Sequence, residues 1–439
     1  MLTMPTTLIS ARWVIPVEPA GTVLHDHALV VQEGRIIALL PTPEARRQFP
    51  AAVETQLEQH ALIPGLINLH THAAMTLMRG LADDQPLMTW LNQHIWPAEA
   101  RHLGEEYVYD GTELACAEML RAGITCFADM YFFHDTAVRA VRKAGMRAAL
   151  GAAIIEFPTP YAADAEGYLA RGLATRDEFA ADPLLRLMLA PHAPYTVSDK
   201  TFKRIAVIAS EMDVPIMLHV QETREEVTQS EKEHGCRPIT RLDRLGLMGP
   251  NLIAVHCVHL TPLEIELLAY SGVHVAHCPT SNLKLASGIA PVRAMLDAGI
   301  NVGVGTDGTA SNNRLDMLAE VRLAALLQKG VSGDAAALPA HRALEMATLN
   351  AARALGWAND IGSLLPGKAA DMIAIDLSGI ETQPCYDPVS HIFHAAGREQ
   401  VTHAWVNGQP LMINRVLTQL DTDEILAKAN LWHRHFSSH

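Results

Sequence analysis

Two histidines, His70 and His72, stand two residues apart at the end of an apolar run in the segment PGLINLHTHAAM. If that run is a β-strand, side chains at positions i and i+2 point to the same face, so both imidazoles project together. Two imidazoles on one face can bind one metal ion. The remaining ligands of such an ion must then come from other segments of the chain.

Imidazole and carboxylate side chains also follow other short apolar runs. His192 ends LRLMLAPH, His219 ends VPIMLH with Glu222 three residues further on, His256 ends NLIAVH, and Asp307 ends INVGVGTD. In a parallel α/β barrel the carboxyl ends of all strands meet at one mouth, where active sites lie. The pattern therefore predicts that these side chains gather at a single site.

Four of the side chains form a ligand set suited to a divalent metal, namely His70, His72, His219 and Asp307. Three neutral nitrogens and one carboxylate suit Zn²⁺, one ion per chain, with Fe²⁺ or another divalent ion as the alternative. A water would complete the shell, and its pKa would fall to about 7. Asp307 could also take the proton of that water.

Two further side chains are candidates for acting on a substrate beside the metal. Glu222 is placed to move protons between the water and the substrate, and His256 could hydrogen-bond the hydroxide or stabilise an oxyanion. His259 is the alternative to His256 as the inward residue, and the position at the strand end favours His256. His274 and His277 flank the next strand and are interpreted as core or supporting residues.

The fourth apolar run ends in LAPHAPY, which contains no lysine. Binuclear barrel hydrolases often bridge two metals with a carboxylated lysine at that place. The sequence therefore predicts a mononuclear site, which favours attack on an aromatic ring carbon over hydrolysis of a cyclic amide.

Eight short apolar runs alternate with longer segments typical of helices. The runs are GLINLH, GITCFADM, MRAALGAAI, LRLMLAPH, VPIMLHV, NLIAVHCV, GVHVAHCP and INVGVGTD. Nearly continuous apolar strands are typical of a parallel sheet buried on both faces, and eight such strands can close into a barrel. We therefore predict an α/β fold, a (β/α)8 TIM-like barrel with a small β-sandwich domain formed by both termini.

Both ends of the chain contain segments with the residue pattern of β-strands, such as TTLISARWVIPV near the start and QVTHAWVNGQPLMI near the end. The predicted domains are residues 1–62 (first part of the sandwich), 63–362 (metal-dependent barrel) and 363–439 (second part of the sandwich and a C-terminal helix). In that helix, DTDEILAKANLWHRHF, Asp421 and Glu424 are placed as a capping box.

The bulk properties exclude several classes of protein. The chain has 439 residues and a net charge of −14, whereas nucleic-acid binding needs a basic surface. No apolar stretch approaches the roughly 20 residues that span a bilayer, and no signal peptide is visible. The six cysteines form no CxxC pair, which favours a reduced, cytoplasmic protein without a membrane partner.

Four segments, PGLINLHTH, LHVQETREE, VGVGTDGTASNN and GSLLPGKAADMIAID, together resemble the amidohydrolase superfamily. The resemblance extends over nearly the whole chain and is strongest to the branch of 5′-methylthioadenosine/S-adenosylhomocysteine deaminases, which neighbours the triazine chlorohydrolases. It implies a metal-dependent barrel enzyme that forms a homo-oligomer, a dimer or a tetramer. The metal ligands of the family match His70, His72, His219 and Asp307.

The resemblance also implies roles for residues around the metal. Glu222 matches the proton-shuttling glutamate of the family, and His256 matches its hydroxide-orienting histidine. Glu99 in WPAEAR matches a glutamate that holds the ribose hydroxyls, and His192 in PHAPY matches a histidine that contacts the nucleoside. Glu222 and Asp307 would contact the substrate as well. The expected reaction is hydrolytic deamination of an adenine nucleoside to the inosine analogue and ammonia.

One departure from the family bears on the substrate. Relatives that bind the homocysteine carboxylate use an arginine soon after the third strand, whereas here AAIIEFPTPYA contains Glu156 and no arginine. Arg79, Arg101 and Arg171 are the alternatives for that role. We therefore expect 5′-methylthioadenosine or adenosine to be preferred over S-adenosylhomocysteine.

The sequence is also compatible with other functions. The same fold and metal could deaminate or dechlorinate guanine, a pterin, a cytosine-like base or a chlorotriazine. A catalytically inactive barrel that serves as an interaction protein is a further alternative, but such a protein should have lost ligands, and this chain retains every candidate.

Overall fold

The computed structural model describes residues 6–437. The chain divides into two compact units. Unit 1 comprises Met1–Ile67, Ala117–Cys126 and Asp316–Leu420, and unit 2 comprises Asn68–Cys116, Phe127–Leu315 and Asp421–His439. These units differ in extent from the predicted domains, whose boundaries after residues 62 and 362 stay a prediction.

Sixteen strands are found among the described residues. They are β1 (Thr7–Val14), β2 (Leu24–Gln32), β3 (Arg35–Pro41), β4 (Val53–Pro64), β5 (Leu66–Thr71), β6 (Ile124–Tyr131), β7 (Arg147–Ile154), β8 (Leu185–Pro191), β9 (Ile216–Val220), β10 (Leu252–His256), β11 (His274–His277), β12 (Asn301–Val304), β13 (Met372–Asp376), β14 (Val401–Val406), β15 (Gln409–Ile413) and β16 (Val416–Leu417).

Most helices lie between these strands. The α-helices are α1 (Thr42–Gln48), α2 (Leu87–Trp90), α3 (Trp96–His102), α4 (Glu105–Arg121), α5 (His134–Ala144), α6 (Ala165–Phe179), α7 (Asp199–Met212), α8 (Arg224–His234), α9 (Pro238–Arg244), α10 (Pro262–Ser271), α11 (Pro279–Lys284), α12 (Val292–Asp297), α13 (Thr309–Asn312), α14 (Met317–Ser332), α15 (Ala340–Met346), α16 (Leu349–Ala354), α17 (Pro388–His394) and α18 (Thr422–Ser437). A π-helical turn, Leu91–Ile95, joins α2 to α3.

Strands β5 to β12 form one sheet in which each strand lies beside its neighbours in the chain. Each strand coincides with one of the eight predicted apolar runs, and β5, β6 and β7 are buried along their whole length. The two ends of the sheet meet, because Asp307 N donates to His70 O at 2.9 Å and Thr306 N donates to Asn68 Oδ1 at 2.9 Å. The predicted (β/α)8 barrel is confirmed.

The contact that closes the barrel requires a glycine at position 305. A Cβ atom on Gly305 would lie 2.7 Å from His70 N and 2.9 Å from His70 O, a distance that real Cβ atoms do not adopt. We expect Gly305→Ala to lower the free energy of unfolding by about 1–3 kcal/mol, the usual cost of overpacking. Denaturant unfolding measures this change.

Gly330 provides the matched control for that substitution. It lies inside α14 and has no atom within 4 Å of where a Cβ would be. Gly330→Ala should leave stability unchanged or raise it by up to about 1 kcal/mol, because alanine is the better helix former. Equal unfolding midpoints for Gly305→Ala and the unaltered protein would contradict the closure contact.

The remaining eight strands form the second sheet, in the order β16-β15-β14-β13-β4-β1-β2-β3. All its strand pairs are antiparallel except β1 with β4. The pairing of β4 with β13 joins the two ends of the chain in one sheet, as predicted. Leu8 packs in one apolar cluster with Ala45 of α1, and its neighbour Ile9 packs in another, so both faces of β1 are buried.

The C-terminal helix α18 groups with unit 2, whereas the predicted domains placed it with the terminal sheet. Trp432 Nε1 donates to Asp110 Oδ2 at 2.9 Å, and Lys428 Nζ lies 3.1 Å from Glu113 Oε2. The buried indole and this ion pair hold the helix against α4. At its start, the side chain of Asp421 accepts the backbone N–H of residue 424, as one half of the predicted capping box requires.

In the described part of the chain, no helix is both long and apolar enough to cross a membrane. All six cysteines are free thiols, and four of them are buried.

Candidate active site

The predicted metal ligands come together at the carboxyl ends of the barrel strands. His70 lies near the end of β5, His72 follows that strand, His219 lies in β9, and Asp307 follows β12. His70 Nε2 is 3.1 Å from His219 Nε2 and 3.4 Å from Asp307 Oδ1, and His72 Nε2 is 3.2 Å from Asp307 Oδ1. Four groups that are far apart in the sequence therefore surround one point.

The hydrogen bonds of the imidazoles fit a bound cation. His72 Nδ1 donates to Met130 O at 2.6 Å, and His219 Nδ1 donates to His192 O at 2.7 Å. A neutral imidazole that donates from Nδ1 keeps its lone pair on Nε2. The lone pair of His72 then faces Asp307 Oδ1, and the lone pair of His219 faces His70 Nε2. A positive ion between these groups would offset the repulsion among their electron pairs. The donor set suits Zn²⁺.

Two serines orient the Asp307 carboxylate. Ser281 Oγ and Ser311 Oγ donate to Asp307 Oδ2 at 2.6 and 2.9 Å, which leaves Oδ1 toward the histidines. Burial opposes ionisation of Asp307, but hydrogen bonds from His70 and His72 outweigh it and hold the pKa of Asp307 well below its usual range. Sequence reasoning missed both serines, although Ser311 lies within the motif TDGTASNN.

Glu222 and His256 lie side by side next to this cluster, with His256 Nε2 3.6 Å from Glu222 Oε2. His256 Nδ1 donates to Asn282 Oδ1 at 2.8 Å, and Ser287 Oγ donates to Glu222 Oε1 at 3.2 Å. Burial raises the pKa of Glu222, which favours uptake of a proton by this carboxyl. His259 is turned away and donates to Ser287 O, so His256 is the inward residue.

A second glutamate, missed by sequence reasoning, holds the turn that presents Glu222. The buried Glu226 carboxylate accepts the backbone N–H of Gln221 at 2.8 Å and that of Glu222 at 2.9 Å. Gln221 has φ +51°, a left-handed conformation that needs such support. The sequence signal that could have indicated Glu226 is the acidic segment ETREE, which contains both Glu222 and Glu226.

These groups open into a cavity of 390 Å³, a volume in the range of small-molecule sites. All four predicted ligands except the fully buried His70 line it, together with Glu222 and His256. Much of the remaining wall is apolar, including Leu87, Trp90, Leu91, Ile95, Trp96 and Phe157.

The two residues expected to bind a nucleoside, Glu99 and His192, line the same cavity. Glu99 Oε1 accepts a hydrogen bond from Tyr131 Oη at 2.6 Å, and burial raises the pKa of Glu99 to about 6. Burial lowers the pKa of His192 to about 3, so its imidazole is neutral at pH 7. The cavity therefore offers a carboxylate and a neutral imidazole, and the imidazole of His192 lies beside His219 with ring centroids 5.1 Å apart.

Among the described residues, no arginine lines the cavity. The three alternatives, Arg79, Arg101 and Arg171, are exposed side chains outside its wall. Glu156, at the place where relatives were expected to carry an arginine, accepts from Ser198 N and Thr201 Oγ1 at the start of α7. The cavity thus contains no guanidinium to pair with a substrate carboxylate.

Comparisons with known proteins agree with this geometry. A 5-methylthioadenosine/S-adenosylhomocysteine deaminase of Teredinibacter turnerae is 48% identical over 437 residues, covering 98% of each chain. The crystal structure of an adenosine deaminase from Xanthomonas campestris with bound zinc is 49% identical, covers 99% of each chain and superposes with a TM-score of 0.97. The atrazine chlorohydrolase of Arthrobacter aurescens, complexed with zinc, is 25% identical, with a TM-score of 0.90 over 97% of this chain and 99% of that one.

The model of the amidohydrolase family matches residues 61–411, which include all the predicted site residues. The matched range, together with relatives this similar along nearly their whole length, shows that the chain belongs to the amidohydrolase family.

Proposed function

We propose that the protein hydrolytically deaminates an adenine nucleoside, 5′-methylthioadenosine or adenosine, to the inosine analogue and ammonia. The observation that carries this proposal is the Glu222–His256 pair, which lies in a small-molecule cavity beside the cluster of His70, His72, His219 and Asp307. The deaminase names of relatives that are 48–49% identical support the same reaction class.

The four candidate ligands would hold the ion that makes the nucleophile available. A divalent cation held by His70, His72, His219 and Asp307 would lower the pKa of a bound water to about 7, making hydroxide available at neutral pH. His256 donates from Nδ1 to Asn282, so in the neutral imidazole Nε2 carries the lone pair and can accept a hydrogen bond from the attacking water. This geometry favours the first of the two roles considered for His256, orientation of the nucleophile.

Glu222 is the proton carrier in this scheme. As oxygen adds to C6, ring nitrogen N1 gains a proton, and the Glu222 carboxyl is placed to supply it. The proton that reaches N1 comes from the attacking water and passes through Glu222. The amino group is a poor leaving group until it is protonated, so Glu222 then takes the proton of the new C6 hydroxyl and delivers it to the amino nitrogen. The C6–N bond breaks, and the products are the hypoxanthine nucleoside and ammonia. Glu99 would hold the ribose hydroxyls, and His192 would contact the nucleoside.

The cavity predicts an order of preference among adenine nucleosides. We expect 5′-methylthioadenosine and adenosine to be deaminated with kcat/KM at least about tenfold above that for S-adenosylhomocysteine. The reason is that the homocysteine carboxylate finds no arginine in the cavity, and a charge without a partner is costly to desolvate. Ammonia release and the ultraviolet change from adenine to hypoxanthine measure all three substrates side by side.

The same assay includes guanine, cytosine, a pterin and a chlorotriazine. Turnover of one of these with no turnover of any adenine nucleoside would reject the proposed function. Faster turnover of S-adenosylhomocysteine than of 5′-methylthioadenosine would reject only the order of preference.

We also propose that the enzyme works in the cytoplasm as a homo-oligomer, a dimer or a tetramer. The six free cysteines support a reducing compartment, and the oligomer rests on the family resemblance. Light scattering on the purified protein gives the mass of the assembly, and a monomer would contradict this part of the proposal.

A further inference from the structure

A phenol that no part of the reaction scheme uses touches the candidate ribose-binding carboxylate. Tyr131 Oη donates to Glu99 Oε1 at 2.6 Å, and both side chains line the cavity. Among the described residues, none donates a hydrogen bond to the other oxygen, Oε2 of Glu99. One oxygen of the carboxylate is therefore fixed by the protein, and the other is free to accept from a ligand.

Tyr131 is itself held firmly in place. It is the last residue of β6, and only 4% of its surface is exposed. The ring of Tyr107, on α4, lies behind it with ring centroids 6.4 Å apart, and Trp432 of α18 packs edge-on against Tyr107 at 5.4 Å. A barrel strand and two helices thus fix the phenol, whereas Glu99 lies in the short helix α3 that follows a π-helical turn.

A carboxylate that binds two adjacent hydroxyls must hold a defined orientation. Without a partner on one oxygen, the Glu99 side chain would lose rotamer freedom only when the substrate binds, and that loss of entropy would weaken binding. A hydrogen bond to a charged group contributes more than one between neutral groups. Tyr131 can therefore set the orientation of Glu99 before the nucleoside arrives.

We propose that Tyr131 is a positioning residue that orients Glu99 for the 2′- and 3′-hydroxyls of ribose and so makes the enzyme selective for ribonucleosides. This inference rests on the proposed function, because it requires an adenine nucleoside in the cavity. Tyr131 acts through Glu99 and takes no part in proton transfer at the adenine ring.

The test compares Tyr131→Phe with the unaltered enzyme on adenosine and on 2′,3′-dideoxyadenosine, which lacks both hydroxyls. We expect kcat/KM for adenosine to fall about tenfold, mainly through KM, because a hydrogen bond to a charged group is lost. For the dideoxy substrate we expect kcat/KM to stay within about twofold of the unaltered enzyme. A merely structural role of the phenol would lower both values alike.

Tyr109→Phe is the matched control, because it also removes one phenolic hydroxyl. Tyr109 lies on α4, where its ring faces Arg139 and Lys428, and it does not line the cavity. It should leave the kinetics on both substrates unchanged. Thermal unfolding of each variant reports whether the fold is intact.

A double-mutant cycle that combines Tyr131→Phe with Glu99→Gln tests whether the phenol acts through Glu99. In the Glu99→Gln background, Tyr131→Phe should have little further effect on adenosine.

The outcomes separate this inference from the proposed function. Equal losses on both substrates, or no loss on adenosine, would overturn the role of Tyr131 while leaving the deaminase in place. Additive effects of Tyr131→Phe and Glu99→Gln would overturn it as well. If the unaltered enzyme deaminates neither nucleoside, the proposed function fails, and this inference fails with it.

Discussion

Replacing Glu222 with glutamine should lower kcat for adenine nucleosides by at least about 10²-fold while the metal content stays unchanged. Glutamine keeps the size of the side chain but cannot take up and return a proton, and general acid–base catalysis contributes typically 10²–10⁴-fold. Glu222 is buried, and its Oε1 accepts from Ser287, so the amide can occupy the same place. Steady-state kinetics together with metal analysis of the same preparation measure both quantities.

Glu225→Gln is the control for this prediction. It makes the same change of charge three residues further along the chain, on an exposed side chain in the first turn of α8. Its kinetics should match those of the unaltered enzyme. Near-normal turnover by Glu222→Gln would show that another group carries the proton.

Replacing His219 with alanine should lower deamination by at least about 10³-fold and remove the bound metal. The reason is that His219 Nε2 lies 3.1 Å from His70 Nε2 at the centre of the ligand cluster, and the metal contributes several kcal/mol to stabilising the transition state. Excess Zn²⁺ should restore little activity, because one of four ligands is missing. Metal content and turnover are measured on the same sample.

His433→Ala serves as the control, because His433 is an exposed histidine on α18, far along the chain from the cluster. It should keep both metal and activity. A His219→Ala enzyme that retained a full complement of metal would show that His219 is not a ligand, and full activity after removal of the metal would reject the metal-dependent scheme altogether.

The barrel was predictable because its strands carry two signals in the sequence. The runs that became β5 to β12 are apolar at nearly every position, as strands buried on both faces must be. The residues with chemical function follow those runs at one end. Since parallel strands end at the same edge, the gathering of His70, His219 and Asp307 follows from the fold.

The residues that orient this cluster were not predictable in the same way. Ser281 and Tyr131 act through single hydrogen bonds to groups 26 and 32 residues away, and a serine or a tyrosine in the sequence does not indicate its partner. The placement of α18 depends on the contact of Trp432 with Asp110, 322 residues apart. Contacts of this kind depend on how the elements pack, which local patterns do not specify.

Strand pairing in the terminal sheet also could not be predicted from local sequence patterns. Alternating apolar residues indicate strands in both termini, but the pattern does not say which edges pair. The parallel pairing of β1 with β4 breaks an otherwise antiparallel sheet, and β4 then pairs with β13 from the other end of the chain. The two-sided burial of β1, with Leu8 and Ile9 in different clusters, became visible only in the structure.

The deaminase reaction requires that four side chains hold one divalent cation at the mouth of the barrel. Anomalous X-ray diffraction at the zinc edge, on crystals of the unaltered protein, tests it most directly. We expect one anomalous peak per chain, within bonding distance of His70, His72, His219 and Asp307 and next to the Glu222–His256 pair. A protein that binds no metal in the presence of Zn²⁺, or a peak at another place in the chain, would contradict it.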